Sequence, residues 1–275
     1  MIKSSLNKVN LNGSLCFITF PPFSQFPHLS HAFSTRLGGK STGHFAQMNL
    51  SFNVGDNRET VIENYNIFCD AVGLDVNTLV LSRQTHSNAV RVVTRADLGK
   101  GIFREYDYTD ADALVTNEKG ITLVTHSADC CLLGFYDPNK HVIASAHAGW
   151  RGTVAEIAAK TVESMVQNFG CDKKDIIVCI APSIGKCCYE VDEPLYTAFS
   201  KLHYIELSKI FTPKGNGKYM LDLWEANRII LLNAGIRDTN IHITDICTNC
   251  NGEQLHSHRA SHGKRGINAL FMSMK

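Results

Sequence analysis

Charge of one sign is what this chain most conspicuously lacks: 27 Lys and Arg stand against 26 Asp and Glu, a net of +1, with the basic residues scattered along the sequence. Nucleic acids and anionic membranes are bound through concentrated positive charge, so neither is an expected partner. No run of 18 apolar residues occurs, and the start, M-I-K-S-S-L-N-K-V-N, has no apolar core of a secretory signal. Neither a membrane span nor export by that route is expected, and the location expected is the cytoplasm. Proline is sparse, at 7 residues, and no low-complexity or Gly/Ser-rich linker interrupts the chain. With 44% hydrophobic residues over 275 positions, a sizeable core is available, and residues 1–275 are read as one domain.

Cysteine runs against this pattern of scarcity. Ten are present, and in a chain without a secretory signal they are read as reduced thiols or metal ligands rather than disulfides. The segment Thr125–Gly152, T-H-S-A-D-C-C-L-L-G-F-Y-D-P-N-K-H-V-I-A-S-A-H-A-G-W-R-G, places a cysteine and a histidine at the ends of neighbouring strand-like runs, and His86 lies upstream in Q-T-H-S. Two imidazoles and a thiolate form a ligand set for a catalytic zinc with one open position. The same set suits copper, whose blue sites add a weak axial Met. Cys130 and Cys131 also read as small buried hydrophobes, the commonest state of free cysteine.

A competing cluster lies near the C-terminus, where Cys247-x-x-Cys250 is followed by His256, His258 and His262. These suffice for a closed Cys₂His₂ site, although the interval to the histidines is shorter than in common fingers. Cys187 and Cys188 are set apart from it, because adjacent residues on a strand point in different directions.

Several separated motifs share one order: F-S-T-R-L-G-G-K-S-T-G-H-F-A-Q-M-N-L-S-F-N-V-G-D over Phe33–Asp56, then Q-T-H-S, S-A-D-C, A-H-A-G-W-R-G, C-C-Y-E-V and C-T-N-C-N. Together they resemble the laccase-domain family, long called polyphenol oxidases and now described as zinc-dependent purine nucleoside phosphorylases and adenosine deaminases. The resemblance implies one compact α+β domain, a mixed α/β sandwich with sheets between helical layers. It implies Zn²⁺ held by His86, Cys130 and His147, with purine nucleosides and phosphate as substrates. The chain departs from the family where A-D-C runs on into C-L-L-G without the usual Pro, which leaves Cys130 and Cys131 as alternatives for the thiolate.

Other site residues follow from chemistry within these motifs. Asp129 is the nearest carboxylate to Cys130 in sequence, a candidate proton shuttle or a second-layer orienter of a ligand. Arg36, Arg151 and Arg259 stand beside Gly-rich turns or motif histidines, and their planar forks suit phosphate. The Gly149–Gly152 turn offers either backbone N–H groups for an anion or room for tight packing. Asn49 and Gln84 are neutral amides suited to nucleoside hydroxyls or base edges, or to capping turns. Three functions compete: the zinc nucleoside enzyme, a copper-dependent polyphenol oxidase, and a non-enzymatic protein with a structural metal at Cys247/Cys250.

The pattern of elements is mixed. Val61, Ile62, Tyr65, Phe68 and Val72 recur at helical spacing before Gly73, a C-cap. L-V-L-S-R-Q-T and A-V-R-V-V-T read as strands either side of a turn at Ser87 and Asn88, and Asp97–Asp110 reads as a long lid-like loop. Four β-rich runs over 111–147 are read as the single sheet carrying the ligands, followed by a helix from Val154 to Phe169. D-I-I-V-C-I-A-P reads as a strand, Glu193–Leu202 and Tyr219–Leu232 as helices, and N-I-H-I-T-D as a strand.

Overall fold

Extended backbone sends neighbouring side chains to opposite faces, so a strand apolar at every position must be covered on both sides. That condition sets the layering of this molecule. The computed structural model describes residues 2–275. Its strands are β1 (Lys8–Asn12), β2 (Leu15–Thr19), β3 (Leu29–Ser34), β4 (Leu79–Leu81), β5 (Val90–Val92), β6 (Ala113–Thr116), β7 (Thr122–Ser127), β8 (Cys131–Asp137), β9 (Val142–Ala148), β10 (Ile177–Ile180), β11 (Glu190–Asp192), β12 (Phe211–Gly215), β13 (Lys218–Leu221), β14 (Ile241–Ile243) and β15 (Asn268–Met274). Its helices are α1 (Pro21–Ser24), α2 (Arg58–Val72), α3 (Trp150–Val154), α4 (Ile157–Phe169), α5 (Glu193–Phe199), α6 (Leu207–Ile210) and α7 (Leu223–Asn233).

Two six-stranded sheets, ordered β1-β2-β3-β15-β7-β4 and β14-β10-β8-β9-β6-β5, pack face to face, and β11-β13-β12 form a small third sheet. Both large sheets are mixed, with β4 parallel to β7 and β5 parallel to β6 beside antiparallel neighbours. Period-two sorting is visible residue by residue. Leu270 and Met272 of β15 enter the core between the sheets, while Phe271 joins Val124 of β7 under α2. On β8, Leu132 faces the other sheet and Leu133 faces the α4 and α7 side. The result is a helix–sheet–sheet–helix stack in one α+β domain, the sandwich expected.

Helix α2 forms where its pattern places it. Val61, Tyr65 and Phe68 are buried, with Ile62 and Val72 half-buried. The Asn57 side chain accepts from the Thr60 N–H at 3.0 Å, and Gly73 closes the far end at φ 71°. No helix among the described residues is long and apolar enough to cross a membrane.

Three expectations are corrected. The runs over 111–147 do not share a sheet: β7 belongs to the first large sheet, while β6, β8 and β9 belong to the second. The strands expected either side of the turn at Ser87 and Asn88 form as β4 and β5, and they lie in different sheets, so the turn is a crossing between the two. The helix read from Val154 is broken at Glu156, whose φ of 59° ends α3 and starts α4. Tyr219 and its neighbours form β13, because the Asp222 carboxylate accepts from the Glu225 N–H at 3.0 Å and so fixes the start of α7.

Candidate metal centre

The chain crosses from the first sheet to the second at two places, and each crossing carries a candidate ligand. His86 lies between β4 and β5, with φ 66°, and Cys130 lies between β7 and β8, directly after Asp129 at φ 100°. His147 comes from the end of β9, where Leu132 of β8 is its register partner. Because β4 neighbours β7 and β8 neighbours β9, the two crossings and the strand end meet at one rim of the sandwich. The His86, Cys130 and His147 ligand atoms lie within 4.8 Å of one another.

Close approach here depends on Gly149. A Cβ at that position would fall 2.9 Å from Cys130 Sγ and 3.1 Å from His86 Cδ2, so only glycine leaves the cluster its space. His147 is buried, Cys130 half-buried and His86 exposed. Three donors of borderline softness facing an open side fit a metal that keeps one position for a substrate.

Asp112 holds this arrangement from beneath. Fully buried, it accepts from His147 Nδ1 at 2.8 Å, from the Thr85 N–H at 2.8 Å and from the Ser87 N–H at 3.0 Å. A carboxylate on Nδ1 leaves Nε2 of His147 as the atom available to a metal. Burial pushes the Asp112 carboxyl up, but His147 and the two N–H groups outweigh it and hold the group at about 2. Burial lowers His147 in turn, yet Asp112 and Cys130 lift it to about 9. The Cys130 thiol is raised by burial and lowered further by His147 and His86, to about 6, which favours the thiolate at neutral pH. Cys131 points elsewhere: its Sγ meets Ser183 Oγ at 3.4 Å, and burial pushes its thiol up to about 12.

The cluster opens onto a cleft of about 700 Å³, within the range of small-molecule sites. Phe52 and Tyr106 supply aromatic wall, Arg83 and Arg265 positive charge, and Glu105 is the one carboxylate among the described residues lining it. Arg265 is half-buried, and its Nε has no hydrogen-bond partner. The Asp97–Asp110 loop forms part of the wall through Gly101, Glu105, Tyr106 and Thr109.

The remaining motif residues take varied positions. Gln84 lines the cleft, where its amide exchanges two 2.8 Å bonds with the backbone of His126. Asn49 is buried, bonded to Asp56 at 2.9 Å and to the Ile267 N–H at 3.0 Å. Arg36 donates to the Ala46 and Gly252 carbonyls, each at 2.8 Å, and Arg259 to those of Cys188 and Glu190 at 3.2 and 3.0 Å. Arg151 is exposed, its guanidinium 4.2 Å from the Trp150 ring. None of these four lines the cleft. Both Asp129 oxygens are engaged, by the Thr248 hydroxyl at 2.6 Å and the Arg259 N–H at 2.7 Å.

A sequence model of the family described as multi-copper polyphenol oxidoreductase laccase matches residues 30–275. The chain belongs to this family. Among its relatives, purine nucleoside phosphorylase YlmD of Bacillus subtilis is 36% identical over 245 residues, which cover 88% of this chain and 87% of that one. Adenosine deaminase RL5, from an unknown prokaryotic organism, is 33% identical over 248 residues, 86% of this chain and 90% of that one. The crystal structure of the hypothetical protein YfiH of Bacillus licheniformis superposes with a TM-score of 0.91 at 33% identity, covering 97% of this chain and 99% of that one.

Two features of this laccase-family cleft have no signal in the sequence reading. Asp112 sits in A-D-A-L-V-T, a run legible only as a strand, and its link to His147 depends on the pairing of β6 with β9. Arg265 stands in G-K-R-G with nothing to set it above Arg259. The histidines expected to complete the Cys247/Cys250 cluster are absent from it: His256 is buried with Nε2 at 3.2 Å from the Met48 carbonyl, and the cysteines that converge there are Cys187 and Cys188.

Proposed function

We propose that this protein is a zinc-dependent purine nucleoside phosphorylase, converting adenosine, inosine, guanosine and methylthioadenosine with phosphate to the free base and the ribose 1-phosphate, and that it also deaminates adenosine. The observation that carries the reading is an open His₂Cys cluster at the head of a cleft with an aromatic wall and a guanidinium, that of Arg265, whose Nε has no hydrogen-bond partner. The enzyme relatives named for these two activities support it.

His86, Cys130 and His147 would hold the zinc, which supplies a Lewis acid when bound. Asp112 sets the tautomer of His147 and steadies the His86 turn. Phe52 and Tyr106 flank the flat base, and Gln84 ties the β4 end to β7 beneath it. Arg265, with Arg83 at the rim, neutralises phosphate, a role suited to a planar fork whose Nε is free. Glu105 is the carboxylate positioned to move a proton at the base. Asp129 acts as a positioning residue for Cys130, and Arg36, Asn49, Arg151 and Arg259 brace the surrounding loops. A blue-copper oxidase site would draw on an axial Met, and no methionine lines this cleft among the described residues.

The test is incubation with adenosine, inosine and methylthioadenosine, with and without phosphate, followed by product identification. Phosphate-dependent release of base is expected from all three. Phenol oxidation with no release of base, or no turnover of any nucleoside by zinc-loaded protein, overturns the reading.

A further inference from the structure

A second set of metal-ligating side chains lies away from the cleft. Cys187 and Cys188 come from one turn, Cys247 and Cys250 from another, and the four sulfurs lie within 4.8 Å of one another. Cys250 Sγ stands 3.6 Å from Cys187 Sγ and 3.4 Å from Cys188 Sγ. All four are free thiols, and these separations far exceed the roughly 2.05 Å of a disulfide. They approach the roughly 3.8 Å edge of a tetrahedron of sulfurs placed about 2.3 Å from a central zinc. Three-residue C-x-x-C spacing on one of the turns is a common element of such sites.

The backbone is arranged for the purpose. Cys187 and Cys188 are not on a strand, so strand alternation does not separate them: the Cys188 and Tyr189 N–H groups both bond the Gly185 carbonyl, at 2.9 and 3.1 Å, and the turn carries both sulfurs to one side. In the facing turn the Asn251 N–H bonds the Cys247 carbonyl at 3.2 Å. Gly185 N–H donates to Cys247 Sγ at 3.2 Å and so ties the two turns together at one of the four sulfurs.

We propose that Cys187, Cys188, Cys247 and Cys250 form a second, closed metal site, four thiolates around one thiophilic divalent ion, zinc or ferrous iron. The four thiols release their protons as the ion binds. Mononuclear coordination is favoured because all four sulfurs lie within 4.8 Å of one another, too close to enclose a multi-iron cluster. The site's position states its role. Thr248, inside the C-x-x-C turn, holds one Asp129 oxygen, and Arg259 holds the other while bonding the Cys188 carbonyl. The Ile184 N–H bonds the Asp129 carbonyl at 2.8 Å. The ion thus clamps the two loops that grip Asp129, the residue before Cys130. This inference stands apart from the proposed function and does not depend on what occupies the first centre.

Elemental analysis of anaerobically purified protein tests it. The double variant Cys187→Ser, Cys250→Ser should carry about one ion per chain fewer than the unaltered protein, whatever the first centre holds. A His86→Ala, His147→Ala variant, which disables the first centre, should keep about one ion, colourless if zinc and red if iron. Cobalt(II) added to this second variant should give the intense thiolate charge-transfer bands of four sulfur ligands, which the cysteine double variant lacks. Equal metal content in the cysteine variant and the unaltered protein overturns the proposal. So does rapid modification of the exposed Cys187 and Cys250 by a thiol reagent in the native protein as purified, or a mass two hydrogens short per cysteine pair, which would mark disulfides.

Discussion

At the scale of single residues, the candidate centre is defined as much by what touches the ligands as by the ligands. Gly149 has ordinary extended backbone, with φ −64° and ψ 168°, so its need for glycine is purely steric. Replacing it with Ala puts a methyl 2.9 Å from Cys130 Sγ, and a backbone-anchored Cβ cannot give way. Gly149→Ala should therefore weaken metal retention at least about tenfold while far-UV circular dichroism stays unchanged; unaltered retention in a chelator competition would show the cluster to be looser than this. Asp112→Asn exchanges an acceptor of several N–H bonds for an amide that must also donate, and it frees the tautomer of His147. Metal affinity should fall by roughly 10–100-fold, read by competition with a chromophoric chelator, and equal affinity would remove Asp112 from its supporting role. The three candidate ligands were legible because each stands in a distinctive motif. Asp112 was not, since its contact arises from strand pairing across 35 residues. The surroundings of the arginines were illegible for a related reason: a guanidinium beside a glycine turn looks the same in sequence whether it faces the cleft or, like Arg36, meets two backbone carbonyls.

Among elements, the two crossings between sheets explain where the site lies, and they could not be read locally. L-V-L-S-R-Q-T and A-V-R-V-V-T have the composition of a hairpin, but the turn joining them sets its strands in separate sheets, a choice made by which apolar face each strand can cover. The loop over Asp97–Asp110 shows the reverse case, legible as a loop but not in its anchoring. Lys100 is buried, with Nζ 2.7 Å from both Asp97 and Asp107, and Arg91 reaches Asp97 at 2.6 Å. Burial raises the Asp97 carboxyl, yet Lys100, the Thr94 N–H and Arg91 hold it at about 2. Asp97→Ala removes the shared partner of two cations and the reciprocal cap at Thr94. It should cost about 3 kcal/mol and lower the melting temperature by roughly 6–12 °C. Because Gly101 and Tyr106 of this loop line the cleft, the Michaelis constant should rise more than kcat falls. A melting temperature within about 2 °C of the unaltered protein would mean that the loop is held by something else.

For the whole molecule, the helix–sheet–sheet–helix stack leaves polar residues sealed between layers, and the imidazoles among them make its stability depend on pH. His31 Nε2 sits 2.8 Å from the Phe20 N–H, so it must be an unprotonated acceptor, and burial lowers the imidazole from 6.5 to about 4. His256 is wholly buried, bonded to the Met48 carbonyl, and burial with Arg36 nearby lowers it to about 3. In each case the unfolded chain takes up a proton below pH 6.5 while the folded protein does not. Stability is therefore full above that value and is lost as pH falls, down to about 4 for His31 and about 3 for His256. His147, at about 9, has changed state before this window, Cys130, at about 6, takes up its proton at the top of it, and Asp97 and Asp112, both at about 2, change below it. Between roughly pH 6 and pH 4.5 these two imidazoles contribute about two protons to the slope, about 2.7 kcal/mol per pH unit, and His126, which burial and His147 lower to about 4, adds up to one more. Urea unfolding across that range measures it, and His31→Gln with His256→Gln should flatten the slope by most of their own contribution. A slope left unchanged by both substitutions would assign the acid sensitivity to groups outside the buried layers.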